Sequence, residues 1–250
     1  VSEPRSPSWL GYWVRRLLPA SAAARWALLA AGVALAGGAV WLVAFSPVLD
    51  ARRVQVVGTE LLTEEQVREA ARVPLGGPLA RVDTAAAERA VAELSRVDSV
   101  RVSRVWPHTV RVEVVEHRTV ALLDEDGRLR EVDEHGVVFE EAAGPLPGVP
   151  VVRVAPDGGP SGAAFPRAEL LAGAAEVALA VPEELRERTE VVRMDSWDDV
   201  RLELTDGSVV VWGSPEDSAR KAEVLTDMLA HPAAVYDVSV PEQPALGGLE

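Results

Sequence analysis

Four histidines, His108, His117, His135 and His231, stand at loop and strand ends, with no spacing that brings two of them to one metal ion. A His-Glu-x-x-His pair on one helix face, the usual zinc arrangement with its general base, does not occur. No Gly-x-Ser-x-Gly pattern places an activated serine. There is no cysteine, which removes thiolate chemistry and disulfides. No glycine-rich phosphate loop is present. Asp124-Glu125-Asp126-Gly127 looks like the start of a calcium loop, but the glutamate required at position 12 is missing, so a hairpin turn is the better reading. Carboxylates are too many in this acidic chain to discriminate anything. These residues point away from an enzyme, with no catalytic, metal or cofactor residue to name, and toward a protein that binds other proteins.

The elements that would position a binding surface begin with Trp26 to Phe45, 20 residues without a charge. At about 1.5 Å per residue they reach roughly 30 Å, the thickness of a bilayer core. No small-residue cleavage site follows, and Trp26 and Trp41 stand near the ends, so the run reads as a retained anchor and not as a secretion signal. Gly32 with Ala36, and Ala34 with Gly38, have the spacing of a helix-packing stripe, although Ala and Gly are frequent throughout the chain. Arg5, Arg15, Arg16 and Arg25 against Glu3 put the N-terminus in the cytoplasm and the rest outside, a single-pass type II arrangement. The net charge is −14, and residues 1–45 carry +3, so residues 46–250 carry −17. Such an ectodomain suits neither nucleic acid nor, by net charge, an anionic lipid surface.

Val54–Glu60 alternates and stops at Gly58, a short strand. Thr63 and Gln66 have capping-box spacing, with Leu62 and Val67 as the staple, so a helix starts there and runs to about residue 72 before Pro74. Asp83 is the N-cap of a second helix, to about residue 95, with Ala87, Ala90, Val91 and Leu94 on its apolar face. Two alternating runs follow, and Val54, Val100, Val102, Val110, Val112 and Val114 should share one sheet face, with the turn at Trp106–Thr109. The order is β-α-α-β-β.

An anchor followed by this order resembles the FtsQ/DivIB family of bacterial cell division proteins, and the unit is similar to a POTRA domain. The matching residues are Val54, Val56 and Gly58, then Gly76, Leu79, Val82 and Asp83. They continue with Arg104, Trp106, Pro107, Val110, Val112, Val114, Glu116 and Ala121. A proline common in the family near Thr119 is absent. Most of these residues read as structural. Gly58 would supply a positive φ, and Arg104 with Glu116 would make a surface ion pair across strands.

Further along, Asp126–Gly127 and His135–Gly136 sit between alternating runs and predict hairpins. Val132, Asp133 and Gly136 match another family pattern, as does the Leu146–Pro147 turn. Residues 155–166 read as a loop and 168–181 as a helix. Leu202 and Leu204, Asp206–Gly207, then Val209 and Val211 read as a hairpin with a type I′ turn. Ser214 reads as an N-cap with Pro215 at N1, and Glu216–Arg220 and Asp217–Lys221 as i, i+4 pairs. Val235–Val240 is a last strand before a loose tail.

The fold class expected is α+β: one transmembrane helix, a POTRA-like domain, then a β-rich domain with flanking helices. The domain bounds expected are a cytoplasmic tail at 1–25, the anchor at 26–45, the POTRA-like domain at 46–117, the β-rich domain at 118–240 and a flexible tail at 241–250. The resemblance implies a non-enzymatic scaffold at the division septum. Its partners would be FtsB/DivIC-like and FtsL-like membrane proteins and, through them, the septal peptidoglycan synthases. A POTRA component of polypeptide transport competes with this reading, but would bring tandem units and barrel strands, for which the chain is too short. An anchored hydrolase would need a polar pocket that the sequence does not display. For the partner site, Tyr236, Asp237, Val238, Ser239 and Val240 offer a strand at a sheet edge, where free backbone groups accept another chain. Family members often carry a further strand there, which Pro241 and Pro244 would interrupt. Either the 236–240 strand is the exposed edge, the expectation preferred, or the tail caps it and the site moves.

Overall fold

The computed structural model describes residues 22–45, 47–155 and 165–248. The expected cytoplasmic tail falls outside them except for residues 22–25, as does most of the expected 155–166 loop. Helix α1 is Ala22–Phe45, 24 residues. Its side chains are described over 25–38, 40 and 41 only. Among the described residues no helix is long and apolar enough to cross a membrane.

The chain divides into two compact units. The first holds residues up to 59, 63–91 and 100–114. Its strands β1 (Arg53–Val57), β2 (Val97–Val105) and β3 (Thr109–Glu116) are ordered β1-β3-β2. Strand β1 runs parallel to β3, with Val54 beside Val110 and Val56 beside Val112. Val54, Val56, Val102, Val110, Val112 and Val114 are buried as the alternation requires, while Val100 is half-buried. Helix α2 (Glu64–Ala71) begins with the capping box the sequence encodes. The Gln66 N–H donates to Thr63 Oγ1 at 3.2 Å and the Thr63 N–H to Gln66 Oε1 at 2.8 Å. Helix α3 (Thr84–Val91) is capped by Asp83, which accepts the Ala86 N–H at 2.9 Å. It is shorter than expected: Leu94 lies beyond its end, where its carbonyl accepts the Val97 N–H and turns the chain into β2.

The second unit takes in 60–62, 92–99 and everything from 115 on. It contains β4 (Ala121–Glu125), β5 (Arg128–Val132), β6 (Val138–Glu141), β7 (Val151–Val154), β8 (Thr189–Ser196), β9 (Asp199–Leu204), β10 (Val209–Gly213), β11 (Val235–Asp237) and β12 (Ala245–Gly247). They form one nine-stranded sheet in the order β12-β11-β10-β9-β8-β7-β4-β5-β6. Helices α4 (Arg167–Ala180), α5 (Glu183–Arg186) and α6 (Ser218–Met228) complete the unit. Leu171, Ala174 and Val177 of α4, Leu185 of α5 and Leu225 of α6 share one core with Leu123, Val152, Val192, Leu202, Trp212 and Tyr236 of the sheet.

Two local expectations are corrected here. The β9–β10 connection is not a type I′ turn. The Gly207 N–H donates to the Leu204 carbonyl and the Leu204 N–H to the Ser208 carbonyl, which leaves a three-residue loop with Gly207 at φ +85° and Asp206 not left-handed. Helix α6 starts at Ser218, behind Asp217 at φ 57°, and not at Ser214–Pro215. The cause is non-local. Buried Ser218 accepts the Trp212 indole N–H at 3.0 Å and donates to the Pro215 carbonyl at 2.6 Å. Lys221, the single lysine, donates to the Ser214 carbonyl at 2.8 Å. These bonds hold 214–217 as a turn. Arg220 pairs with Glu223, and Glu216 accepts the Trp197 indole N–H, so neither expected i, i+4 pair forms.

Candidate functional site

The expected partner strand is half as long as predicted and is not the edge. Strand β11 covers Val235–Asp237, parallel to β10. It ends because Asp237 Oδ1 accepts the Ser239 N–H at 3.0 Å and its hydroxyl at 2.6 Å, a side-chain turn that competes with the ladder. Tyr236 is buried; its phenol accepts the Ala233 N–H at 3.1 Å and donates to the His231 carbonyl at 3.3 Å. Val238 is buried too, and its N–H donates to the Val211 carbonyl at 3.0 Å. Val240 is 52% exposed.

The tail supplies the edge. The Gln243 N–H donates to the Val240 carbonyl at 2.9 Å, and Pro241 sits at the second position of that turn, which its fixed φ favours. The prolines thus turn the chain back instead of ending the sheet. Residues 245–247 then form β12, antiparallel to β11, with Tyr236 beside Leu246. Of the two arrangements open at the sequence level, the tail capping the strand is the one found. Strand β12 pairs on one side only, so its outer backbone groups form a sheet edge; Ala245 and Leu246 are exposed, Leu246 to 48%.

The opposite edge is β6. Phe139 stacks on His117, with centroids 4.9 Å apart, and the Arg96 guanidinium lies 5.4 Å from the Phe139 centroid. Arg96 donates to Glu131 at 3.2 Å and to Glu140. Thr119 donates to the same Glu131 carboxylate. Burial pulls the Arg96 pKa down, but the hydrogen bond and charge of Glu131, then Glu140, raise it overall. His117 Nδ1 lies 2.7 Å from Asp133 Oδ2 and 3.9 Å from Asp98 Oδ1. Among the described residues these three could hold a metal ion, since one atom from each falls within 4.8 Å of the others. Their bonds already have a structural use. Asp133 Oδ1 accepts the N–H groups of His135 and Val137, and a Cβ on Gly136 (φ +78°) would meet the Ala172 backbone N at 2.4 Å. The sequence singles out His117 and Asp133 but not as partners, because members of this cluster bond across 12 to 44 residues.

Gly58 has φ +88°, and a Cβ there would meet the Val114 carbonyl oxygen at 2.1 Å. Arg104 and Glu116 do not pair. Arg104 donates to the Val82 carbonyl at 2.6 Å, and Glu116 accepts the backbone N–H groups of Glu60, Leu61 and Leu62 at about 3 Å. Trp106 and Pro107 form the β2–β3 turn, Trp106 being 48% exposed. Asp124 accepts the Gly127 N–H and the Arg153 guanidinium; Arg153, then Gly127, hold its pKa below the usual range. The acidic run is therefore a hairpin turn, beside an open cavity of about 660 Å³ lined by Asp124, Glu125 and Arg167.

Comparison with known proteins agrees with this architecture. Residues 49–117 match the FtsQ-type POTRA domain, and residues 121–239 match the C-terminal domain of cell division protein FtsQ/DivIB. The chain is 44% identical over 225 residues to cell division protein FtsQ of Streptomyces bingchenggensis, covering 88% of this chain and 85% of that one. It is 40% identical over 242 residues to the Streptomyces coelicolor protein of the same name, covering 94% and 92%. The Mycobacteroides abscessus protein is 34% identical over 202 residues, covering 81% of this chain and 63% of that one. With both domain types in series and identity of this extent over most of its length, the chain belongs to the FtsQ/DivIB family of cell division proteins.

Proposed function

We propose that this protein is a non-enzymatic scaffold of the division machinery, anchored by α1 and docking a partner strand along β12. The carrying observation is the open β12 edge in a chain of this family. A strand added there would gain main-chain bonds for affinity and the half-exposed Leu246 for side-chain contact. The partners implied by the family are FtsB/DivIC-like and FtsL-like proteins, with the septal peptidoglycan synthases reached through them. In this reading α1 spans the membrane with the N-terminus cytoplasmic. Its 24 residues measure about 36 Å, enough for a bilayer core of about 30 Å. The domain bounds proposed are those of the sequence reading, except that the 241–250 tail contributes β12.

Depletion of the protein in its host, followed by microscopy of septa, tests the role. Failed septation that the wild-type chain restores is the expected outcome, and normal septa on depletion overturn it. Val238→Pro is a poor probe of docking, because it breaks an internal bond at a buried site. A chain truncated after Pro244 removes β12 alone and should fail to restore septa.

A further inference from the structure

The first unit has two chemically opposite ends. Immediately after α1 the backbone is tied to two loops. Asp50 bridges Pro78, the Ala51 N–H donates to the Gly77 carbonyl at 2.8 Å, and the Gly76 N–H donates back to Ala51 at 2.9 Å. The Arg52 N–H donates to the His108 carbonyl at 2.8 Å, and the His108 ring Nδ1 lies 3.2 Å from the Asp50 carbonyl. The loops at 73–78 and 106–108 are therefore fixed at the point where the chain leaves α1. Phe45 and Asp50 are five residues apart, which spans at most about 17 Å.

This end carries exposed apolar side chains: Val48 at 63%, Leu75 at 53% and Trp106 at 48%. It is also basic. Residues 47–53, 72–82 and 104–109 hold Arg52, Arg53, Arg72, Arg81 and Arg104 against Asp50 alone. The opposite end holds Glu64, Glu65 and Glu113, the first two paired with Arg68 and the third with Arg111, and carries no arginine cluster. The net charge of −17 over residues 46–250 conceals this polarity.

We propose that the basic end rests on the outer leaflet of the membrane, with Trp106 and Leu75 at the headgroup level and Arg52 and Arg53 over anionic phospholipid phosphates. The proposal rests on the reading of α1 as the membrane anchor. Three observations favour a bilayer as the occupant. The tether keeps this end within a few residues of the membrane surface. Tryptophan concentrates at membrane interfaces because its ring is apolar with one polar N–H. Exposed arginines near an anionic leaflet are attracted to it, and in these segments five arginines stand against one aspartate.

The absence of cysteine allows a direct test on the full chain. Single variants Leu75→Cys and Glu65→Cys are spin-labelled and reconstituted in vesicles of phosphatidylcholine with phosphatidylglycerol. Insertion is checked by alkaline extraction and folding by circular dichroism. The expected result is that the label at 75 is shielded several-fold from a water-soluble nickel relaxant relative to the label at 65. Adding Trp106→Ala, Arg52→Gln and Arg53→Gln should reduce that shielding. An inserted chain whose label at 75 is as accessible as the label at 65 overturns this proposal alone. That outcome would leave the apolar tip for a protein partner. A chain that fails to insert overturns the anchor reading, and this proposal with it.

Discussion

The two edges of the nine-stranded sheet receive opposite treatment. Edge β6 carries charge and an anchored ring, with Phe139 lying against both His117 and Arg96, and Glu140 ion-paired to Arg96. Edge β12 is short, carries Ala245, Leu246 and Gly247 with no charge, and among the described residues no strand pairs with its outer side. A sheet edge is an aggregation hazard that proteins blunt with charge or cover. Here one edge is blunted and the other is limited only by its length. The contrast favours β12 as the edge reserved for another chain.

The largest expected effect lies on the blunted side. Arg96→Ala removes the cation that faces Glu131, whose side chain is only 11% exposed, and leaves a buried carboxylate without its counter-charge. A loss of about 3 kcal/mol in denaturant unfolding is expected. Adding Glu131→Gln should recover part of that loss. Stability unchanged by Arg96→Ala would show that the β6 edge is not held by this network.

A smaller effect on stability, but a larger one on binding, is expected at the open edge. Leu246→Asp touches an exposed side chain and should leave stability within about 0.5 kcal/mol. Affinity for the FtsB/DivIC-like partner should fall about tenfold or more, measured by titration calorimetry on the full chain. Equal affinity would move the docking site away from β12.

What could be read from the sequence was local. Thr63 with Gln66, Asp83 with Ala86, and Gly58 each encode a backbone requirement within a few residues, and the structure meets each one. The alternating valines of β1 and β3 did the same for the buried face of the first unit. The errors arose where distant groups decide. Pro215 looked like a helix start until Trp212, Ser218 and Lys221 are seen holding it in a turn. Pro241 and Pro244 looked like an end to the sheet, yet Pro241 builds the turn that lets β12 return. Arg104 and Glu116 have opposite charge and suitable sequence positions, but each satisfies backbone groups instead. Asp133 carries a local turn signal with Gly136, but nothing local in the sequence brings it to Asp98 and His117.

The smallest expected effect concerns acid. Asp206 accepts the Ser208 hydroxyl and N–H and the Arg188 guanidinium, which lower its pKa to about 2. Its folded pKa thus lies below the unfolded value of about 3.9. The stabilisation is complete above that value and is lost as pH falls toward about 2. Asp206→Asn should make the melting temperature slightly less steep in pH across that window and leave neutral pH nearly untouched. An unchanged acid limb would show that this turn does not contribute.

Hydrogen exchange of the full chain in lipid nanodiscs, with and without the ectodomain of the FtsB/DivIC-like partner, tests the docking edge most directly. Alternate amides of a strand face outward when it pairs on one side only. The account predicts that the partner slows exchange at outward amides within Ala245–Gly247 about tenfold or more, while Val138–Glu141 is unchanged. Saturable binding that leaves Ala245–Gly247 exchanging at its free rate would contradict it.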